Sequence, residues 1–196
     1  MVDLKKFTKK VFAYKTTMSF GPKYKFGVEV PRSVKHAIPL DSHNGNSLWK
    51  KAIGKELGSI MEYNTFRLPE RDEDITGFQK IPYHFVFDVK HDLRRKARLV
   101  AGGNLTSNPV DDIYSGVVGI SNVRLLFLLA AINKLEVKAA DVGNAYLYAS
   151  NREKVYIIAG PEFGEDYSGK KLVIAKCLYG LKTAAARFHE HLSATL

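Results

Sequence analysis

The sequence predicts an α+β fold with mostly antiparallel strands, and three observations carry that expectation. Segments whose apolar residues keep helical spacing are interspersed with segments whose apolar residues recur at every second position. The alternation lacks the regular strand, helix, strand rhythm that builds a parallel sheet. The composition, 45% apolar and 26% charged over 196 residues, suits one substantial core or two small subdomains and is not that of a disordered chain.

Residues 1–45 read as a basic, loosely structured connector, because "FGPKYKFGVEVPRS" is broken by Gly and Pro and "DSHNGN" is turn-like. From Ser47 to Tyr63 a helix is expected. Trp49, Ala52, Ile53, Leu57, Ile60 and Met61 keep helical spacing, Lys50, Lys51, Lys55, Ser59 and Glu62 fall mostly on the other face, and Asn46 or Ser47 can cap it. After the acidic loop "PERDEDITG" the period changes to two. "YHFVFDVK" and "RKARLVA", joined by a short "HDLR" turn, form a hairpin with Tyr83, Phe85, Phe87 and Val89 on one face. "SNVRLLFLLAAINK", nearly continuous in apolar residues and capped by Ser121, reads as a buried helix. "LEVKAAD" then reads as a strand leading to Asp141, and "VGNAYLYAS" as a short turn or helix. A further strand pair is expected at "KVYIIAG" and "KLVIAKC", and a closing helix at "TAAARFHEHLSATL".

Charge and composition narrow the functional classes. Lys and Arg outnumber Asp and Glu by 30 to 20, a net charge of +10 that attracts a polyanion, nucleic acid above all. The excess is clustered: seven lysines lie in the first 25 residues, and Lys90, Arg94, Arg95, Lys96 and Arg98 follow on the hairpin. Lys96 and Arg98, two apart on a strand, point to the same side, where one phosphate-rich ligand meets both; an ordinary charged solvent face would account for the same residues. The single cysteine, Cys177, rules out a disulfide framework or a cysteine-rich zinc site and fits a reducing compartment. The N-terminus lacks the apolar stretch of a secretory signal. The longest apolar run, "LLFLLAAI", is far short of the roughly 20 residues of a membrane span. An intracellular protein without a membrane partner is therefore expected.

Several sites are missing. Neither a phosphate-binding loop nor G-x-G-x-x-G occurs, and no G-x-S-x-G elbow marks a nucleophile. His189 and His191 flank Glu190, but on a helix residues two apart face different directions, which is not the spacing of a zinc pair.

Four stretches, "LWKKAIGKELGSIMEYNTF", "RRKARLVAGG", "DVGNAYLYA" and "LYGLKTAAARFHEHL", occur in an order and approximate spacing that resembles the Ty1/copia-type reverse transcriptases of LTR retrotransposon polyproteins. The resemblance covers roughly residues 25 to 196. It implies the fingers and partial palm of a right-hand polymerase over residues 46–196, preceded by the connector. It also implies an RNA template, a DNA primer and a dNTP as partners, Mg²⁺ as cofactor of the complete domain, and the rest of a polyprotein around it: integrase upstream, and palm, thumb and RNase H downstream. A cytoplasmic virus-like particle or the nucleus is the implied location.

The chemistry of such enzymes explains the residue types. Two Mg²⁺ ions roughly 3.5 to 4 Å apart activate the primer hydroxyl and stabilise the leaving pyrophosphate, and hard cations need oxygen ligands. Asp141 matches the family's first catalytic aspartate, and Val142 would add its backbone carbonyl. Tyr146 matches the aromatic steric gate, whose ring would clash with a ribose 2′-OH while accepting deoxyribose. Gly143, Asn144 and Ala145 would lie under the triphosphate. Lys96 and Arg98 are candidates to contact the triphosphate or the template backbone, with Lys90 on the template side. Tyr179, Gly180 and Lys182 match the motif that braces the template base and incoming nucleotide, Gly180 permitting close backbone approach.

Two departures qualify the match. The last block commonly continues with Gln, then Pro, then a Trp after the Arg, where this chain has Thr183, Ala185 and Phe188, and loss of the Pro is expected to change how the helix begins. The family's paired aspartates, in a Y-x-D-D hairpin, occur nowhere in the 196 residues. The chain by itself is thus expected not to polymerise, and to be a fragment of a longer polyprotein or of a degenerate element. The competing expectation is a non-catalytic nucleic-acid-binding remnant using the basic N-terminus and hairpin.

Overall fold

In the computed structural model, which describes residues 21–107 and 113–195, the chain enters through a hairpin of β1 (Lys23–Lys25) and β2 (Val28–Val30). Its two turn residues, Phe26 and Gly27, both have positive φ, 51° and 76°, the twist that matches antiparallel strands. The Gly and Pro that suggest a loose connector are therefore turn punctuation, and residues 23–43 are ordered elements. The N-terminal lysines at positions 5 to 15 lie outside the described residues.

Helix α1 (Val34–His43) starts at Ser33, whose hydroxyl accepts the His36 N–H at 3.2 Å. Its last turn supplies the start of the next helix, α2 (Leu48–Glu62). The buried Asp41 carboxylate accepts the N–H groups of Trp49 at 3.1 Å and Lys50 at 2.8 Å, satisfying two of the donors that every helix start leaves open. Of the two expected caps, Asn46 accepts the Leu48 N–H at 3.1 Å, whereas Ser47 makes no capping bond.

The expected hairpin forms as β5 (Tyr83–Val89) and β6 (Arg95–Ala101), paired from Tyr83 opposite Ala101 to Val89 opposite Arg95. Phe85, Phe87, Val89, Ala97 and Leu99 turn inward against the buried face of α2, where Trp49 meets Phe87 edge-on at 5.6 Å. A second sheet runs in the order β3 (Phe66–Arg67), β8 (Lys171–Ile174), β7 (Val155–Ile158), β4 (Gln79–Lys80). Its pairs are antiparallel except β4 with β7, which is parallel. Mixed helices and mainly antiparallel strands make this an α+β fold.

Two expectations are corrected in the middle of the chain. Helix α3 (Ile120–Ile132) is not buried: Leu126, Phe127 and Ile132 are 58%, 54% and 68% exposed, and of its residues only Ala130 is buried. Periodicity reports that a helix wants a cover on every side; it does not supply one. The helix also starts two residues earlier than a Ser121 cap implies, with Gly119 at the cap position and Ser121 inside the first turn. Leu135 to Asp141 is not a strand, because no described segment pairs with it and a lone strand leaves its backbone groups to water.

The closing helix, α4 (Ala184–Thr195), begins where the expected Pro is replaced by Ala185. Thr183 holds that start: its carbonyl accepts the Arg187 N–H at 2.9 Å, and its own N–H and hydroxyl both donate to Glu153, at 3.2 and 2.7 Å. Cys177 is buried, its thiol pushed up to about 11 by desolvation, so it remains a neutral core thiol.

Candidate functional site

Strand β6 presents alternate residues to opposite sides. With Ala97 and Leu99 committed to the core, Lys96 and Arg98 are left on the other side, across from Asp88 and Val86. The Arg98 guanidinium lies 3.9 Å from the centre of the Tyr179 ring. Tyr179 in turn meets the edge of Tyr146 at 4.9 Å, and Tyr146 meets Phe188 of α4 at 6.2 Å. Three separate stretches of sequence thus converge on one stack. Each such contact is worth about 0.5–2 kcal/mol, enough together to fix half-buried rings that would otherwise change rotamer.

Tyr146 sits on a 3₁₀ turn, Ala145–Tyr148, entered through Asn144 in the left-handed conformation at φ 53°. Two contacts tie that turn to α2: the Asn144 side-chain amide donates to Ser59 Oγ at 2.8 Å, and the Tyr148 hydroxyl meets that of Tyr63 at 3.0 Å. Tyr179 is anchored by its backbone, since its carbonyl accepts the Ala101 N–H at 2.8 Å. Gly180 follows at φ 92°, and a Cβ there would overlap the Ala101 carbonyl oxygen. The close approach expected of Gly180 is therefore made to the end of β6.

Beside the stack, a cleft of about 510 Å³ separates α2 from the tip of the β5–β6 hairpin. Lys51 and Lys55 line one wall, and Lys90, Arg94, Arg95 and Lys96 the other. Burial, then the neighbouring charges of Arg98 and Lys90, push the Lys96 ammonium below the usual lysine range. Glu56 lies on the same wall as Lys51; burial raises its pKa above the usual carboxylate range, although it accepts the Leu99 N–H at 3.0 Å and faces Arg98 and Lys96. An anion entering the cleft would replace charge repulsion with charge-assisted hydrogen bonds.

The structure brings Lys96, Arg98, Asn144, Ala145, Tyr146, Tyr179 and Gly180 into or next to this region, with Lys90 at the hairpin tip. Lys182 donates its ammonium to the Thr106 carbonyl at 2.6 Å. Asp141, Val142 and Gly143 are exposed on the irregular segment after α3. Among the described residues no three His, Cys, Asp or Glu side chains are grouped to hold a metal ion. One carboxylate and one carbonyl do not fit a two-metal centre on their own. The His189–Glu190–His191 run is engaged otherwise, with Glu190 on Arg152 and Arg187 at 3.1 and 2.5 Å and His191 stacked on Tyr148.

Sequence reasoning missed the α2 wall. Lys51, Lys55 and Ser59 recur every four residues, so their common face was readable, but not that the hairpin tip stands opposite. Phe188 was read only as a departure, not as the outer ring of the stack.

The chain is similar to known proteins over most of its length. The profile of the family described as reverse transcriptase (RNA-dependent DNA polymerase) matches residues 63–196. The chain is 32% identical over 169 residues to the retrovirus-related Pol polyprotein from transposon TNT 1-94 of Nicotiana tabacum, a match covering 81% of this chain. It is 30% identical over 151 residues to the truncated transposon Ty1-A Gag-Pol polyprotein of Saccharomyces cerevisiae, covering 74% of this chain. Each match spans about 12% of the length of these relatives. No solved structure matches the chain.

Proposed function

The chain belongs to the reverse transcriptase family as found in Ty1/copia-type transposon polyproteins, and from that premise we propose that residues 46–196 are the fingers and N-terminal palm of an RNA-directed DNA polymerase. The observation that carries this reading is the stack of Arg98, Tyr179 and Tyr146. Residues matched to three different family motifs meet where a nucleotide would have to be gripped by its phosphates and tested at its sugar.

In this reading the basic cleft takes the triphosphate, with Lys96 and the turn of Gly143, Asn144 and Ala145 nearest the phosphates and Arg98 closing the pocket beside Tyr179. Lys90 faces the template strand. Tyr146 excludes the 2′-OH by occupying the space it would need. Lys182, already spent on Thr106, braces the turn after β6 rather than the template. The family generally uses a divalent metal, and Asp141 with the Val142 carbonyl is this chain's share of that site. The donors within these residues do not complete it, so no chemical step is assigned to the 196 residues alone. The template, the primer and the remaining polyprotein segments are partners of the complete enzyme.

Primer extension on an RNA template with Mg²⁺ tests the reading. The 196-residue chain is expected to incorporate nothing; measurable incorporation would contradict the claim that its metal site is incomplete. The second reading, nucleic-acid binding without chemistry, is favoured by the six basic side chains around one cleft. It predicts a salt-dependent shift with single-stranded RNA that weakens on replacing Lys96 and Arg98. No shift at low salt would exclude it.

A further inference from the structure

The backbone of the 3₁₀ turn fixes where Tyr146 starts but not where its ring points. The turn bonds, Leu147 N–H to the Asn144 carbonyl at 2.8 Å and Ala149 N–H to the Tyr146 carbonyl at 3.1 Å, leave both side-chain torsions of Tyr146 free. The segment before the turn pairs with no described strand and offers no further guide. The ring is instead held between Tyr179 and Phe188. Tyr179 is set by β6 twice over, through the Ala101 N–H on its carbonyl and through the Arg98 guanidinium over its face.

We infer that Arg98 is a positioning residue, which fixes the Tyr146 ring through Tyr179 and so lets the β5–β6 hairpin set how strictly the sugar is read. The inference rests on the reading of Tyr146 as the sugar gate. The guanidinium suits this task because it is flat, always charged and less strongly hydrated than an ammonium; it covers the ring with its face while its N–H groups remain in the plane at its edge. A lysine would keep the charge and lose the plane. Exclusion of one hydroxyl depends on ring placement to a fraction of an ångström, so loosening Tyr179 admits the ribose. It does not remove a phosphate contact.

The test uses the full chain labelled with 3-fluorotyrosine, the Tyr146 and Tyr179 signals assigned by Tyr146→Phe and Tyr179→Phe. In Arg98→Lys both fluorine resonances are expected to move, that of Tyr146 through Tyr179. In Tyr179→Phe, which keeps the ring face, the Tyr146 resonance is expected to stay. Affinities for dUTP and UTP, which differ only at the 2′ position, are measured alongside, and the preference for dUTP is expected to narrow by about fivefold to tenfold in Arg98→Lys. If only the Tyr179 resonance moves, the relay is refuted. If dUTP and UTP weaken together with their ratio unchanged, Arg98 is a phosphate contact and the inference is likewise overturned. If the parent chain shows no dUTP preference while both resonances still move, the sugar-gate reading of Tyr146 fails and the coupling of Arg98 to its ring stands.

Discussion

Glu56 is the residue whose chemistry most shapes the basic cleft. Burial raises its pKa, so the folded state holds a proton there more readily than the unfolded chain does. The stability linked to this group is present below the unfolded value of 4.5 and is lost as pH rises through the higher folded value. Lys96 has the opposite displacement: its lowered pKa costs stability below the folded value, and that cost disappears as pH rises through it toward the unfolded value of 10.5. Anion affinity follows the charge of the cleft. Binding of inorganic tripolyphosphate is expected to tighten as acidification neutralises Glu56, and in Glu56→Gln to be tighter at neutral pH with that acid step gone; an acid step that persists in the variant would assign it elsewhere. Gly180 gives a second prediction at this scale. Gly180→Ala combines a left-handed φ of 92° with overlap on the Ala101 carbonyl, and should cost about 2–4 kcal/mol in urea unfolding.

Among the elements, those whose hydrophobic period is answered by a neighbour were legible in the sequence. Helix α2 and the β5–β6 hairpin lie within a residue or two of their expected limits because Trp49, Phe85, Phe87 and Leu99 bury one another. The elements that were misread depend on something the local pattern does not hold. Asn46 caps α2 as expected, but a second cap comes from Asp41, eight residues before Trp49, where no capping signature looks. The buried character of α3 and the strand at Leu135 to Asp141 both presuppose a partner that the described residues do not supply. The β1–β2 hairpin was missed because Gly marks a break and a tight turn alike. Two substitutions separate the cases: Trp49→Ala is expected to cost about 3–5 kcal/mol and Phe127→Ala no more than about 0.5 kcal/mol, measured by denaturant unfolding of the same chain. A cost above 2 kcal/mol at Phe127 would show that α3 is covered after all.

Over the whole molecule, a net charge of +10 and an uncovered apolar helix pull in different directions. The charge favours polyanions and opposes self-association, while α3, Val117, Val118 and Leu135 leave large apolar side chains exposed to water. Among the described residues no helix is long and apolar enough to cross a membrane. High salt is expected to screen the repulsion and drive the chain into larger species by light scattering, and Leu126→Glu with Phe127→Glu to suppress that growth; association that weakens with salt would point to charge as its cause. The candidate site was legible at this scale only through its motifs. The pattern named Tyr146, Tyr179 and Arg98, but their meeting in one stack is a fact of packing; so is the lack, among the described residues, of three grouped side chains that could hold a metal ion. Amide chemical-shift mapping of the full chain titrated with dTTP tests directly whether a nucleotide enters between the hairpin and the Tyr146 turn: the largest shifts are expected at Lys96, Arg98, Asn144 to Tyr146 and Tyr179, and shifts confined to other surfaces, or none at saturating nucleotide, would rule that entry out.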